Sequence, residues 1–308
     1  TDQMLTLTND QLASLTTSQL ASMQTDDIAA ITTAQITALT TAQVAAMTTA
    51  QVAGMGEGQI EYLSSAQVQA LTTAQFNALG EAAVQAMGTA DVQALTSTQI
   101  GSMGTSDVNE LSTDQVQALT TAQIRALTSS QLNGMADATV QALTSTELQA
   151  LTTAQAQSLT AAMLNKLTTD QVGVLNSTTV TALNTTALST LVVEQLNALT
   201  STQVQALSST QVQALTTAQL STVSSTQLEN LSSAQVRVLT TAQLNGLDDV
   251  NLQALGSADM QALTTVQVSA LTSAQVNKLS TGAEGQLAAL TTVQAQSLTT
   301  SQLNGLSA

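Results

Sequence analysis

Large aliphatic residues recur at every eighth position along nearly the whole chain, from Leu7 to Leu287. We give this residue position 1 of an octad, so that in the octad beginning at Leu199 a second apolar residue, Val204, holds position 6. A fixed short period is typical of repeat proteins, in which each unit packs only against its neighbours. The pattern therefore predicts a solenoid.

The repeat is interrupted once, close to the end of the chain. After Leu287 the aliphatic residues resume at Leu290, so we place a three-residue insertion at residues 287–289. The insertion creates a register break, an eleven-residue unit, at residues 279–290. Apart from this break the frame is continuous, and the sequence predicts a single octapeptide-repeat solenoid over residues 1–308.

The longer unit places an acidic residue where a core residue is expected. Glu284 would fall on the apolar position 6. If Thr281 is instead a displaced helix N-cap, Glu284 becomes its capping-box partner and the unit gains nearly one helical turn. We therefore expect a bend, or a joint between subunits, at this place.

The octad predicts short helices. Eight residues overshoot two turns of a continuous α-helix by roughly 80°, so the apolar positions of one long helix would spiral around it. Position 2 is usually Thr or Ser and is replaced by Gly, Asn or Asp, the residues favoured at a helix N-cap. Position 5 is mostly Gln, which completes a capping box, and positions 1 and 6 fit a hydrophobic staple. The sequence therefore predicts an all-α fold, an α-solenoid (superhelix) of short capped helices, one per octad.

A β-solenoid is the alternative fold. Thr and Val favour strands, and positions 4, 6 and 8 often alternate as Ala-Val-Ala. A strand position should reject Gly, Asn and Asp, however, and position 2 accepts all three. In the helical interpretation positions 1 and 6 lie inside, positions 3 and 7 lie outside, and a small residue at position 8 lets helices approach closely.

The charge of the chain limits its partners. The formal net charge is −16, with 20 acidic and four basic residues, so no basic face exists to neutralise phosphates and nucleic acid is not expected as a partner. The sequence contains no run of eighteen apolar residues, so no membrane span is predicted. The sequence contains no Cys and no His, which leaves redox compartment undefined and removes the usual activators of a nucleophilic hydroxyl.

No catalytic, cofactor-binding or metal-binding residue is predicted, and we do not expect an enzyme. The Met residues are interpreted as core residues in place of Leu, with Met4 and Met260 at position 6 and six others at position 1. The pairs Asp26-Asp27 and Asp248-Asp249 lack the spacing of a calcium loop and are interpreted as helix caps or first-turn acids.

Two further features of the sequence concern the surface. Asn176 and Asn184 begin N-glycosylation acceptor patterns, but both hold position 2 and are interpreted first as helix caps. Tyr62 holds position 8, where small residues are the rule. We expect its side chain either to protrude as a contact or to disturb the local stacking.

The words LTTAQVAAM, residues 39–47, and LTTAQIRAL, residues 119–127, resemble tracts of very long low-complexity bacterial exoproteins with LTTAQ-type octapeptide repeats. These adhesion-related or haem-utilisation-related surface fibre proteins are similar to nearly the whole chain. The resemblance implies export and an extracellular or cell-surface structural role. It carries no functional residue over to this sequence, which has no His to ligate haem iron.

These observations favour a structural repeat protein that forms an extracellular or cell-surface fibre, filament or stalk. The chain begins at the third position of an octad and neither end carries a polar cap, so we expect stacking and end-to-end self-association. The expected partner is therefore a further copy of the chain. An adhesin stalk or carbohydrate-binding surface module that contacts a cell surface or glycans is one alternative, and an ice-binding Thr-ladder surface is a second.

Overall fold

The computed structural model describes residues 6–306, and all regular structure in this range is α-helical. Each helix contains four to six residues and occupies one octad. The prediction of an all-α solenoid of short helices is thereby confirmed, and the β-solenoid alternative is wrong. Met4, which was predicted to hold a core position, lies outside the described residues.

The chain divides into two compact units, residues 1–151 and residues 152–308. The first unit contains α1 (Asn9–Ser14), α2 (Thr17–Ala21), α3 (Thr25–Ala29), α4 (Thr33–Ala38), α5 (Thr41–Ala46), α6 (Thr49–Ala53), α7 (Glu57–Glu61), α8 (Ser65–Ala70), α9 (Thr73–Phe76), α10 (Glu81–Ala86), α11 (Thr89–Ala94), α12 (Ser97–Ser102), α13 (Thr105–Glu110), α14 (Thr113–Gln117), α15 (Thr121–Ala126), α16 (Ser129–Gly134), α17 (Asp137–Ala142) and α18 (Ser145–Gln149).

The second unit continues the same succession of short helices. It contains α19 (Thr153–Ser158), α20 (Ala161–Leu164), α21 (Thr169–Gly173), α22 (Ser177–Ala182), α23 (Thr185–Ser189), α24 (Val193–Asn197), α25 (Ser201–Ala206), α26 (Ser209–Ala214), α27 (Thr217–Thr222), α28 (Ser225–Glu229), α29 (Ser233–Val236), α30 (Thr241–Asn245), α31 (Asp249–Ala254), α32 (Ser257–Ala262), α33 (Thr265–Ala270), α34 (Ser273–Lys278), α35 (Thr292–Gln296) and α36 (Thr300–Asn304).

Local capping explains where each helix begins, and α5 is representative. Thr40 is extended at φ −72° and ψ 156°, and its Oγ1 accepts a hydrogen bond from the N–H of Gln43 at 3.2 Å. The Oε1 of Gln43 accepts in return from the N–H of Thr40 at 2.8 Å. Met47 is again extended and ends the helix. The two extended residues at positions 1 and 2 form the corner between successive helices.

Packing stabilises helices that are too short to persist alone. Within each unit a helix packs against the third helix along the chain, as α2 does against α5 and α19 against α22. The apolar residues at positions 1 and 6 are buried, as Leu39 and Val44 illustrate. Burial of one such side chain contributes about 1.5–3 kcal/mol, which exceeds the net gain of about 0.5–1.5 kcal/mol from a single hydrogen bond.

Position 8 is small because it lies close to position 3 of an earlier octad. A Cβ atom built on Gly134 would come within 2.5 Å of Cγ2 of Thr105, and one on Gly246 would come within 3.2 Å of Cβ of Thr217. Both pairs are 29 residues apart. The close approach of helices that the small residues predicted is therefore present at these two positions.

The conformation of the longer unit differs from the prediction. Glu284 is exposed and forms no capping box with Thr281; Ser280 keeps the cap position, and its Oγ accepts from the N–H of Gln286 at 2.9 Å. Gln286 in turn accepts through Oε1 from the N–H of Ser280, at 3.2 Å. The additional residues thus precede Gln286, Leu287 follows it at position 6, and the predicted insertion at 287–289 is wrong. The unit has turns in place of a further helical turn.

Candidate functional site: the glutamine array between turns

The Gln side chains at position 5 join each helix to an earlier turn of the superhelix. Gln43 is buried, and its Nε2 donates to the carbonyl oxygens of Leu12 at 2.9 Å and Leu15 at 2.8 Å, at the C-terminal end of α1. Its Oε1 meanwhile accepts from the N-cap Thr40. All the hydrogen-bonding groups of one amide are thus satisfied, half by its own helix and half by the preceding turn.

We call this set of inter-turn bonds the glutamine array. Its members donate to carbonyl oxygens 31 and 28 residues earlier, which are those of positions 6 and 1. Both bonds are made in the first unit by Gln43, Gln51, Gln59, Gln67, Gln75, Gln99, Gln115, Gln123 and Gln131. Both are made in the second unit by Gln203, Gln211, Gln219, Gln235, Gln243, Gln267 and Gln275.

The array defines how many octads form one turn. A helix packs against the third helix before it, 24 residues away, and its Gln reaches the C-terminal end of the fourth, about 32 residues away. Each turn therefore holds between three and four octads. The position 6 carbonyl oxygen already accepts from the N–H of its own C-cap residue, as Leu12 does from Leu15 at 3.2 Å, whereas the position 1 carbonyl lies just beyond the helix. The array therefore adds a second donor at the one and caps the other.

A second set of hydrogen bonds points along the chain in the opposite direction. Polar side chains at position 7 donate to carbonyl oxygens of position 8 that lie 25 residues later. Nδ2 of Asn77 donates to Ser102 at 3.0 Å, and Nε2 of Gln253 donates to Lys278 at 2.9 Å. These bonds are exposed, so we expect each to contribute less than a buried bond of the array.

Where position 5 is not Gln, other side chains replace part of the array. Asn251 makes the same two bonds with a shorter side chain, at 3.3 and 3.2 Å. In the octad with Ala187 at position 5, Nδ2 of Asn184 donates to Leu159 at 2.8 Å, the carbonyl that a Gln at 187 would reach. Asn184 thus supplies to the position 1 carbonyl the donor that Ala187 lacks.

Asp at position 5 uses a different partner. Oδ1 of Asp91 accepts from Oγ of Ser65 at 2.7 Å, and Oδ1 of Asp259 accepts from Oγ of Ser233 at 3.0 Å. In both cases the Ser lies at position 3, 26 residues earlier. Two separate octads therefore use the same Asp and Ser pair to connect turns.

Asn at position 7 can cap the following turn. Oδ1 of Asn109 accepts from the N–H of Ala136 at 2.7 Å, and Oδ1 of Asn165 accepts from the N–H of Val192 at 3.2 Å. Ala136 and Val192 are N-cap residues without a hydroxyl group. A side chain from the preceding turn thus satisfies an amide that would otherwise depend on a local capping box.

Glu147 is the exception within the array. It holds position 5, is 2% exposed, and accepts through Oε2 from the N–H of Thr144 at 2.5 Å. Its Oε1 is buried and makes no hydrogen bond. Burial raises the pKa of this carboxyl above its ordinary value, against the opposing effect of the hydrogen bonds with Thr144.

The residues that the sequence singled out are placed as follows. Asp248 is the N-cap of α31 and accepts from the N–H of Asn251, as predicted. Asp249, next to it, pairs with Lys278 at 3.1 Å on the surface. Asn176 and Asn184 are also N-caps, as predicted, and Nδ2 of Asn184 is engaged in the bond to Leu159.

The surface holds two further features. The side chain of Tyr62 is 53% exposed. It therefore protrudes from the surface, which is the first of the two alternatives that the sequence predicted. An open groove lies beside the longer unit and is lined by Ser257, Gln261, Glu284 and small residues. Within residues 6–306 no cluster of three acidic side chains could hold a metal ion, and no helix is long and apolar enough to cross a membrane.

The fold and the array together define an all-α repeat protein whose turns are joined by side-chain amides. The family model described as the ALTTAQ repeat matches five stretches of the chain, residues 20–57, 73–105, 84–121, 102–137 and 250–282. These stretches of the chain therefore carry tandem repeats of the ALTTAQ type, which agrees with the resemblance to LTTAQ-type repeats. Among curated proteins, no sequence matches the chain.

Proposed function

We propose that the chain is a structural element that builds length in an extracellular or cell-surface fibre or stalk of bacterial origin. The glutamine array is the observation that carries the proposal. Each inner helix donates to the turn before it and accepts from the turn after it, so the pairing sets no limit to the number of turns. The role needs no catalytic residue, and we propose that the chain is not an enzyme.

End-to-end self-association is the mechanism that we propose. Gln11 and Gln19 hold position 5 but are exposed, and among the described residues their Nε2 atoms have no acceptor. At the opposite end of the described range, the apolar residues Leu303 and Leu306 are 51% and 36% exposed. One face offers amide donors, and the other offers carbonyl acceptors beside uncovered apolar side chains. The two faces are therefore complementary in the same way as successive turns of the superhelix.

The test combines sedimentation velocity with negative-stain electron microscopy of the purified chain. We expect particles longer than one chain, whose population increases with protein concentration. The double variant Gln11→Ala/Gln19→Ala should shift the distribution towards single chains. The matched control, Gln93→Ala/Gln205→Ala, removes two exposed Gln side chains at position 7 and should leave association unchanged. Single chains at every concentration would overturn the proposal of self-association.

A carbohydrate-binding surface is the second candidate. The groove beside the longer unit presents a hydroxyl, an amide and a carboxylate, from Ser257, Gln261 and Glu284, and these groups are suited to sugar hydroxyls. Binding on a glycan array that is lost in Gln261→Ala would support it. The ice-binding Thr-ladder surface stays a prediction, for which thermal hysteresis is the measurement.

A further inference from the structure

In one octad a Glu side chain holds the place of the array Gln. Glu147 is the single Glu at position 5 of this sequence. A capping box accepts Glu as readily as Gln, and Glu147 does bind the N–H of its N-cap Thr144 through Oε2. The second carboxyl oxygen of Glu147, Oε1, therefore takes the place of the Nε2 of an array Gln and faces the same carbonyl oxygens.

The register of the array identifies those groups. Gln123, three octads earlier, donates to the carbonyl oxygens of Val92 and Leu95, 31 and 28 residues before it, at 2.7 and 2.8 Å. The same separations from Glu147 lead to Val116 and Leu119, at the C-terminal end of α14. An ionised Oε1 would face two acceptors with no donor, in a place closed to water.

We propose that the Glu147 carboxyl is a proton-operated contact of the array, in which protonated Oε1 donates to the carbonyl oxygen of Val116 or Leu119. A proton fits because array distances near 2.8 Å are those of an O–H···O hydrogen bond. A calcium ion, with oxygen ligands at about 2.3–2.6 Å each, needs more room between its ligands. Loss of the proton leaves this contact broken while the neighbouring Gln contacts persist.

The charged groups on the surrounding helices do not replace the proton. Arg125 of α15 directs its Nε to the carbonyl oxygen of Ala150, at the opposite end of α18, at 3.3 Å. Asp114 of α14 and Asp137 of α17 are exposed. The pKa of Glu147 is thus raised by burial, the hydrogen bonds with Thr144 oppose this shift, and no charged group contributes to it.

The direction of the pH effect follows by linkage. Burial raises the pKa of Glu147 in the folded chain, so the folded state holds the proton more tightly than the unfolded state does. The stabilisation is fully present below the pKa of the unfolded chain and is lost as pH rises through the pKa of the folded chain. Acid therefore tightens this contact and alkali loosens it.

The experiment compares urea unfolding midpoints of the full chain and of Glu147→Gln from about pH 4 to about pH 8. Glu147→Gln supplies the missing donor and should raise the midpoint at pH 8, with a difference that shrinks as pH falls. Glu81→Gln, the same change at an exposed first-turn residue, is the control and should show no such gain. A difference that is constant with pH, or a Glu147→Gln variant less stable than the natural chain at pH 8, would overturn the proposal.

The reciprocal variant tests the same mechanism at a second octad. Gln123→Glu replaces an array amide by a carboxyl with the same neighbours. We expect it to lower the midpoint at pH 8 and to regain most of the loss in acid. A loss that acid does not recover would show that a carboxyl at position 5 cannot donate to the preceding turn, which contradicts the proposal for Glu147.

Discussion

Nε2 of Gln43 donates a hydrogen bond to the carbonyl oxygen of Leu15 at 2.8 Å, across 28 residues of chain. Leu15 is the C-cap of α1, and Gln43 lies in the first turn of α5, about one turn further along the superhelix. A single side chain therefore fixes a helix start, a helix end and the distance between two turns. Stability of this fold should depend on position 5 more than on any other polar position.

The first prediction compares two Gln residues of the same helix, α8. Gln67 is buried in the array and donates to Ile36 and Leu39, both at 2.8 Å or less, whereas Gln69 at position 7 is exposed. Gln67→Ala removes the side-chain donor from both carbonyl oxygens, of which only that of Ile36 keeps another donor, the N–H of Leu39, and it should lower the free energy of unfolding by about 1–3 kcal/mol. Gln69→Ala should change it by less than about 0.5 kcal/mol.

Urea denaturation followed by circular dichroism measures both variants. Because the repeats stack only on their neighbours, the loss should be local and the rest of the helical signal should persist after α8 and its neighbours unfold. Equal effects of the two substitutions would contradict the assignment of a special role to position 5.

The second prediction concerns the N-cap. Oγ1 of Thr40 accepts from the N–H of Gln43 at 3.2 Å, and Thr41 beside it is exposed at the first helical position. Thr40→Val keeps the size of the side chain, removes the cap and should cost about 1 kcal/mol. Thr41→Val makes the same chemical change without a cap and should be nearly neutral. Thermal unfolding by calorimetry gives the difference, and a stabilising Thr40→Val would contradict a capped helix there.

The sequence predicted the local part of this arrangement. Thr40 and Gln43 are three residues apart, so their capping box needs no knowledge of the rest of the fold. The bond from Gln43 to Leu15 spans 28 residues and depends on the number of octads per turn, which a local pattern does not contain. One signal was present: a capping box accepts Glu and Gln alike, yet position 5 is Glu only at Glu147. That preference indicates that the amide N–H groups have partners.

The longer unit was predicted less well for a related reason. Counting back from Leu290 gives the number of additional residues but not their place, and Thr281 and Glu284 fit a capping box by spacing alone. In the structure Nε2 of Gln286 donates to the carbonyl oxygens of Leu252 and Leu255, as an array Gln does. These bonds determine which residue holds position 5, and the additional residues form turns before it. The tertiary contact of Gln286 is therefore formed instead of the local capping box that Thr281 and Glu284 could have made.

The third prediction tests capping across turns. Asn109 accepts from the N–H of Ala136 at 2.7 Å and donates through Nδ2 to the carbonyl oxygen of Gly134 at 3.0 Å. Oδ1 of Asn109 also accepts from Oγ1 of Thr139 at 3.3 Å. Asn109→Ala should lower the free energy of unfolding by about 1–2 kcal/mol, because these three hydrogen bonds of a partly exposed side chain are lost. Hydrogen exchange of the Ala136 amide should accelerate at the same time.

A second substitution separates this cap from other roles of Asn109. The double variant Asn109→Ala/Ala136→Ser supplies a local cap to α17 and should recover part of the stability. Asn109→Asp keeps the acceptor and loses the donor, so it should lie between the natural chain and Asn109→Ala at a pH above the Asp pKa. Unchanged exchange of the Ala136 amide in Asn109→Ala would show that this amide is protected in another way.

The last prediction concerns the backbone of the longer unit. A Cβ atom at Gly285 would lie 2.5 Å from the carbonyl oxygen of Ser280 and 2.7 Å from the carbonyl carbon of Thr281, which are backbone atoms that cannot rotate away. Gly285→Ala should therefore cost about 1–3 kcal/mol by overpacking. At Gly58, inside α7, an added Cβ meets nothing within 4 Å, and Gly58→Ala should stabilise the chain by about 0.5–1 kcal/mol through reduced backbone entropy.

The local readout is hydrogen exchange at Gln286. Its N–H donates to Oγ of Ser280 at 2.9 Å, and this bond exists only while the chain between the two residues keeps its tight turn. Gly285→Ala should accelerate exchange there, whereas Gly58→Ala should leave it unchanged. Protection that survives Gly285→Ala, together with unchanged stability, would mean that the longer unit adapts to a side chain at residue 285 and that the array alone holds Gln286 in place.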